Sequence, residues 1–281
     1  MARVRDAAEA LKLEHTIFAL PFAYLALWTA SGGSPAWATV GWVTLAMTGA
    51  RTTGMAVNRM LDLPLDRLNP RTKGWPVPAG RVTMPFLAGT AILAAGLFFF
   101  SAGRLNPLCL RLAPWALGLM LIYPTLKRFT WTCHFWLGAV LACAPVGGWL
   151  AVTGRWEAEI VPLALGVLFW VAGFDILYAL LDLDFDRMHR VYSIPQRFGT
   201  RAALAISAAC HLLAAAGLAW FGWISRAGAW YWIGWAGVTG LLCYEHRLVG
   251  PNRLDRINKA FFTVNGWVSV LLFVFAVLDL R

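Results

Sequence analysis

In IVPLALGVLFWVAGFDILYALLDLDFD, residues 160–186, an apolar run interrupted by one charge, Asp175, gives way to Asp182, Asp184 and Asp186. A helix needs about 20 mostly apolar residues to cross a bilayer, so the run at 160–181 reads as a membrane span that ends in carboxylates. Eight further apolar runs flank it, near 16–31, 38–57, 83–103, 112–126, 132–152, 202–222, 228–244 and 261–279. Hydrophobic residues make up 59% of the 281 residues and charged ones 14%, against roughly 25% charged in an average soluble protein. A disordered chain is excluded, and a soluble domain could not hide so much apolar surface. The expectation is an all-α protein, a single domain over residues 1–281. It is a polytopic transmembrane helical bundle of nine helices.

The charges orient it. With the amino terminus, every second connection faces one side, and those segments carry 18 of the Lys and Arg residues; the opposite connections carry 5, and Arg51 lies inside the second run. Cytoplasmic loops are the positive ones. The N-terminus and the charged loops at 58–82 and 182–201 are therefore expected in the cytoplasm, in a multi-pass protein of the cell (inner) membrane. This accounts for the net charge of +10 without nucleic acid. Residues 1–15 place Val4, Ala7, Ala8 and Leu11 on one face, which suits a helix lying on the membrane. Cys109, Cys133, Cys143, Cys210 and Cys243 lie far apart, read as small apolar fillers. No cleavable signal peptide is evident.

Chemistry concentrates at two charged span ends. Asn58, Asp62 and Asp66 are spaced by four, and so are Tyr178, Asp182 and Asp186. Residues four apart stack on one helix face, so each segment presents two carboxylates that repel each other. A divalent cation relieves that repulsion. Mg²⁺ prefers one or two carboxylates plus phosphate oxygens, so two facing pairs suit Mg²⁺ bridged by a diphosphate. The equal placement, four spans apart, hints at a parallel internal repeat. Pro64 is expected to break or kink the helix and put Asp66 on a loop. Asp184 points away from its neighbours, toward pairing with Arg187 or Arg190.

Arg51 shares the stripe of Asn58, Asp62 and Asp66, about 16 Å deeper at 1.5 Å per residue. Asp175 lies on the stripe of Asp182. A charge at mid-bilayer costs on the order of 3 kcal/mol. Two readings are open: a polar cavity running inward, or a structural Arg51–Asp175 ion pair. Lys127 and Arg128, in YPTLKRFTW from Tyr123, either anchor the membrane boundary or clamp a diphosphate. Glu14 and His15 read as boundary residues. The 16 Trp residues either anchor the interface or line a groove.

These motifs resemble those of the UbiA superfamily of intramembrane prenyltransferases, over nearly the whole chain. Asn58, Asp62 and Asp66 are similar to its first aspartate-rich motif, and Asp175, Tyr178, Asp182 and Asp186 to its second. Arg51 is similar to the family's arginine before the first motif, and Tyr123-Pro124 with Lys127-Arg128 to its loop after the fourth span. EHTIFALPF, AVNR and the run from Gly173 to Gly199 resemble the 4-hydroxybenzoate polyprenyltransferase branch. A similar set acts on 1,4-dihydroxy-6-naphthoate in menaquinone synthesis. The resemblance implies nine helices around a central cavity open to the cytoplasm and sideways to lipid. It also implies Mg²⁺-dependent transfer from a polyprenyl diphosphate to an aromatic acid acceptor in quinone biosynthesis. Asp62, Asp66, Asp182 and Asp186 would hold metal. Asn58, Arg71, Lys73, Tyr123, Lys127 and Arg128 would bind substrate. Arg51 would hold an acceptor carboxylate, and Asp175 and Tyr178 would act on the acceptor. The family often has Arg where this chain has Trp75, so Arg71 or Lys73 would substitute.

From another class, the rival is a membrane carrier for divalent ions or organic anions. It would cluster charges near the midplane, usually in inverted repeats. Here most acidic residues gather at one surface, in parallel orientation.

Overall fold

The computed structural model describes residues 2–11, 16–250, 253–257 and 263–280. Glu14 and His15 lie outside them. The helices are α1 (Ala2–Leu11), α2 (Thr16–Ala30), α3 (Trp37–Leu68), α4 (Met84–Leu105), α5 (Pro107–Leu126), α6 (Cys133–Thr153), α7 (Val161–Ala179), α8 (Leu183–His189), α9 (Ile194–Ile224), α10 (Ala229–Leu248) and α11 (Asn265–Asp279). The chain is all-α and multi-pass. Among the described residues, five stretches are long and apolar enough to cross a membrane: Met84–Leu105, Pro107–Leu126, Cys133–Thr153, Ala158–His189 and Ile194–Ile224. Ala19–Ala30 and Asn265–Asp279 are shorter apolar helices. The long helix α3 is not among the five; it carries Arg51 and the aspartate motif. Neither is α10, rich in Trp, Tyr and Gly rather than aliphatic side chains.

Local signals set the helix ends. Asn106 caps α5 by accepting from the Cys109 N–H at 2.9 Å, with Pro107 following it. Gly154 ends α6 in the left-handed conformation, at φ 64°. α3 packs along α4 and α7 along α9, α6 lies between α2 and α7, and α11 lies between α2 and α10. Each motif-bearing helix, α3 and α7, thus runs beside the long helix that follows its charged loop. Lipid is as apolar as leucine, so small residues that let backbones approach drive such packing. A Cβ on Gly138 would lie 2.3 Å from the Leu168 carbonyl oxygen, and one on Gly148 would lie 2.2 Å from that of Ala23. Around these contacts Trp170, Leu163, Val167, Phe221 and Leu272 form the main core.

Two local expectations are corrected. Pro64 lies inside α3, which continues to Leu68, so Asp66 sits on the helix and not on a loop. Proline is tolerated in a membrane helix where other groups satisfy the freed carbonyls. Arg128 Nη2 donates to the Leu61 carbonyl, in the turn before the proline, at 2.5 Å; the carbonyl that Pro64 leaves without its helical N–H is that of Met60, four residues back. The break comes instead in the second motif. α7 ends at Ala179, Leu180–Asp182 form a 3₁₀ turn, and α8 starts anew. Asp182 and Asp186 are therefore not stacked on one continuous helix.

The amphipathic α1 docks on the bundle. Ala10 and Leu11 are buried with Ala56, Val77, Val82 and Leu87. Arg59 Nε donates to the Ala10 carbonyl at 3.2 Å, and Arg81 pairs with Asp6 at 3.0 Å.

Candidate active site

The two motifs meet across one cleft of about 270 Å³. It is lined by Asp62 and Asp66 from α3, by Asp175 and Tyr178 from α7, and by Asp182 and Asp186 around the 3₁₀ turn. Each motif carboxylate has a partner. Lys127 Nζ lies 2.6 Å from Asp62 Oδ2, and Arg59 Nη1 lies 3.6 Å from Asp66 Oδ2. Arg71 grips Asp182 with two nitrogens, Nε to Oδ1 at 2.8 Å and Nη2 to Oδ2. Such a fork is the strong geometry for an Arg–carboxylate pair. Asn69 Nδ2 adds a bond to Asp182 Oδ1 at 2.9 Å, and Ser193 Oγ donates to Asp186 Oδ2 at 3.1 Å.

The loop after α3 aims Arg71. Asn69, at the helix end, accepts the Arg71 N–H on its own Oδ1 at 2.9 Å, a local turn that reverses the chain. Thr72 Oγ1 donates back to the Asp66 carbonyl at 2.9 Å. Arg71 Nη1 also donates to the Tyr178 hydroxyl at 3.0 Å. Burial would lower the Arg71 pKa, but the hydrogen bonds and charge of Asp182 hold it above its ordinary value. Trp75 supplies an aromatic face: Arg59 lies 4.3 Å and Arg71 5.4 Å from its ring centre. Where an arginine was expected at Trp75, the cleft thus has Arg59 and Arg71.

Deeper in, Asn58 Nδ2 donates to the Tyr123 hydroxyl at 3.0 Å. Tyr123 and Leu137 line both the polar cleft and a second, apolar cavity of about 610 Å³. Arg51 borders that apolar cavity, with Met47, Gly54 and Met120. Asp175 Oδ2 lies 2.7 Å from His134 Nδ1.

Not every expected residue faces the cleft. Lys73 is exposed and does not line it, because the turn at Thr72 sends it outward. Arg128 is spent on the Leu61 carbonyl while Lys127 turns inward. Asp184 is exposed, and within 4 Å no ion pair joins it to Arg187 or Arg190. Arg59, Asn69, His134 and Ser193 are additions to the set. Only Arg59 had a legible signal, lying two helical turns before Asp66.

The donor set suits a hard cation. Asp62 Oδ1 and Asp66 Oδ2 are buried with no hydrogen bond, and carboxylate oxygens are what Mg²⁺ prefers. Among the described residues no three His, Cys, Asp or Glu side chains form a ready-made metal cage. Mg²⁺ commonly combines one or two carboxylates with phosphate oxygens and water.

Membrane helices that join an acidic, cation-rich cleft to an apolar cavity define an intramembrane enzyme for a substrate with an anionic head and a hydrocarbon tail. The model of the UbiA prenyltransferase family matches residues 19–268, and the chain belongs to that family. It is a prenyltransferase. It is 30% identical over 286 residues to the 4-hydroxybenzoate octaprenyltransferase of Marinobacter nauticus, covering 99% of this chain and 96% of that one. A UbiA homolog from Aeropyrum pernix K1, solved in its apo form, superposes with a TM-score of 0.88 at 32% identity, over 96% of this chain and 99% of that chain. A UbiA homolog from Archaeoglobus fulgidus bound to DMAPP and Mg²⁺ shares the fold with a TM-score of 0.73 at 16% identity, over 98% and 99% of the two chains.

Proposed function

We propose that this enzyme joins a polyprenyl group from its diphosphate to a ring carbon of a 4-hydroxybenzoate-type acceptor, with Mg²⁺, as a step in quinone biosynthesis. One observation carries this reading: the aspartate cleft and the apolar cavity of about 610 Å³ meet at Tyr123 and Leu137. The diphosphate head occupies the first and the polyprenyl tail the second. The names of the similar 4-hydroxybenzoate enzymes and the Mg²⁺-bound homolog support the substrate class and the metal.

Asp62, Asp66, Asp182 and Asp186 hold Mg²⁺, which when bound draws charge from the leaving diphosphate. Lys127, Arg59 and Arg71 turn from their carboxylates to the phosphate oxygens. Asn58 and Tyr123 stand at the junction, where the reacting prenyl carbon is held. The apolar cavity keeps water from that carbon. Arg51 holds the acceptor carboxylate, and Tyr178 positions the ring. The acceptor carbon beside the hydroxyl bonds to the prenyl carbon as the carbon–oxygen bond to diphosphate breaks. Asp175 takes the hydroxyl proton. It returns that proton to the oxygen as the ring C–H proton leaves to the released diphosphate, restoring the aromatic ring.

In the bilayer the chain crosses nine times, with the N-terminus and the cleft in the cytoplasm, as the 18 to 5 split of basic residues supports. The test is incubation of membranes carrying the enzyme with labelled prenyl diphosphate and a panel of aromatic acids, with and without Mg²⁺. Labelled 4-hydroxybenzoate product is expected. Uptake of ions or anions into liposomes without any product would favour a carrier instead.

A further inference from the structure

His134, the second residue of α6, is 2% exposed and lines the cleft. The backbone N–H of Ile194 donates to its Nε2 at 3.2 Å. A backbone amide only donates, so Nε2 is the bare ring nitrogen. Nδ1 then carries the proton and donates it to Asp175 Oδ2 at 2.7 Å. The tautomer of His134 is therefore fixed by its two neighbours. Ile194 is the first residue of α9, where an N–H has no helical partner. Ser193 beside it caps the same helix, accepting from the Gln196 N–H at 3.2 Å and donating to Asp186 Oδ2 at 3.1 Å. One imidazole thus ties Asp175 to the helix end that holds Asp186.

The Asp175 side chain is 26% exposed and lines the cleft, so ligands reach it. The last torsion of an aspartate is soft, and its carboxylate turns unless something holds it. His134 holds one oxygen. From this geometry we infer that His134 is a positioning residue for Asp175, fixing the carboxylate that works on the aromatic acceptor; this rests on the transferase reading above. Partners of this kind are commonly worth 10- to 100-fold in a supported metal ligand, and His134 stands in the same relation to a reacting carboxylate.

A purely structural His134 would matter only as a brace for the start of α9. Two substitutions separate the roles. In His134→Asn the amide sits near the place of Nδ1, keeping a donor for Asp175 and losing the Ile194 contact. In His134→Gln the longer side chain reaches the place of Nε2, keeping an acceptor for Ile194 and losing the donor. The expected result is a loss of about 10- to 100-fold in acceptor kcat/KM for His134→Gln, with the prenyl-diphosphate KM unchanged and most activity kept in His134→Asn. A Gln variant with normal acceptor kinetics, or an Asn variant impaired as badly as Gln, overturns the assignment. Should the Gln variant not fold, His134→Ala in an Asp175→Asn background decides. No further loss of acceptor kcat/KM is expected there, and a full further loss overturns the assignment. A wild-type enzyme that makes no product from any acceptor removes the transferase reading, and this role with it. A wild-type enzyme that does make product, beside an unaffected Gln variant, removes only the role of His134.

Discussion

Lys127 Nζ, at the end of α5, lies 2.6 Å from Asp62 Oδ2 of α3, so a cation from the fourth apolar run neutralises the first aspartate of the opposite motif. Asp62 is nearly buried and its Oδ1 has no hydrogen bond. Breaking the pair from either side leaves a charge without compensation. Lys127 also lines the cleft that meets the apolar cavity. Lys127→Met is therefore expected to raise the prenyl-diphosphate KM by at least about tenfold, the scale of one lost charge-assisted hydrogen bond, with little change in the acceptor KM. Steady-state kinetics with each substrate varied in turn is the check. An unchanged donor KM would return Lys127 to membrane anchoring.

Asp62→Ala and Asp182→Ala are each expected to abolish turnover while leaving extractable, folded protein. Each removes metal-binding oxygens from one wall of the cleft, and in Asp182→Ala the fork to Arg71 goes as well. Thermal melting of the purified variants separates lost chemistry from lost folding. By the same reasoning EDTA stops the reaction and Mg²⁺ restores it. Wild-type rates in either variant, or activity that survives thorough chelation, would remove the metal–diphosphate assignment.

The aspartate motifs were legible because a four-residue spacing at an apolar boundary is a strong local pattern; it holds on α3, whereas in the second motif a 3₁₀ turn interrupts it and the carboxylates still line the cleft. The bends were harder to read. Pro64 suggested a break that does not occur: α3 runs on to Leu68, and Arg128, which donates to the Leu61 carbonyl in the turn before the proline, comes from 67 residues away. The real break, at Leu180–Asp182, carries no Gly or Pro to announce it. The loop residues divide the same way. Arg71 faces Asp182 because Asn69 folds the chain back on itself, while Lys73, two residues on, faces water. Neighbouring basic residues look alike in sequence and part company only in three dimensions. His134 sits 41 residues from Asp175, with no spacing that links them.

The membrane topology has its own test. The basic residues divide 18 to 5 between alternate connections, and on the nine-crossing topology proposed above the N-terminus faces the cytoplasm and the C-terminus the opposite side. Fusions of a reporter active in only one compartment, made at Met1 and at Arg281, are expected to report opposite sides. Both ends on one side would refute an odd count.

Arg51 lies on α3 eleven residues before Asp62, about 16 Å inward at the helical rise, and borders the apolar cavity beside Tyr123. A guanidinium at that depth is expensive, and an anionic substrate group at the junction marked by Tyr123 adds to the interactions Arg51 already has. Asp175 is engaged with His134 at 2.7 Å, which weakens the alternative of a permanent Arg51–Asp175 pair. An acceptor carboxylate offers Arg51 a planar partner for two parallel hydrogen bonds. Lysine keeps the charge and loses the fork. Arg51→Lys is therefore expected to raise the acceptor KM by about tenfold or more, the scale of one bidentate contact, and to leave the prenyl-diphosphate KM nearly unchanged. If the donor KM moves most, Arg51 serves the diphosphate. If Arg51→Ala loses thermal stability and Asp175→Asn restores part of it, the ion pair is structural after all. Measuring both KM values and the melting temperature across these variants distinguishes the three, and an unchanged acceptor KM in a stable Arg51→Lys enzyme takes the acceptor carboxylate away from Arg51.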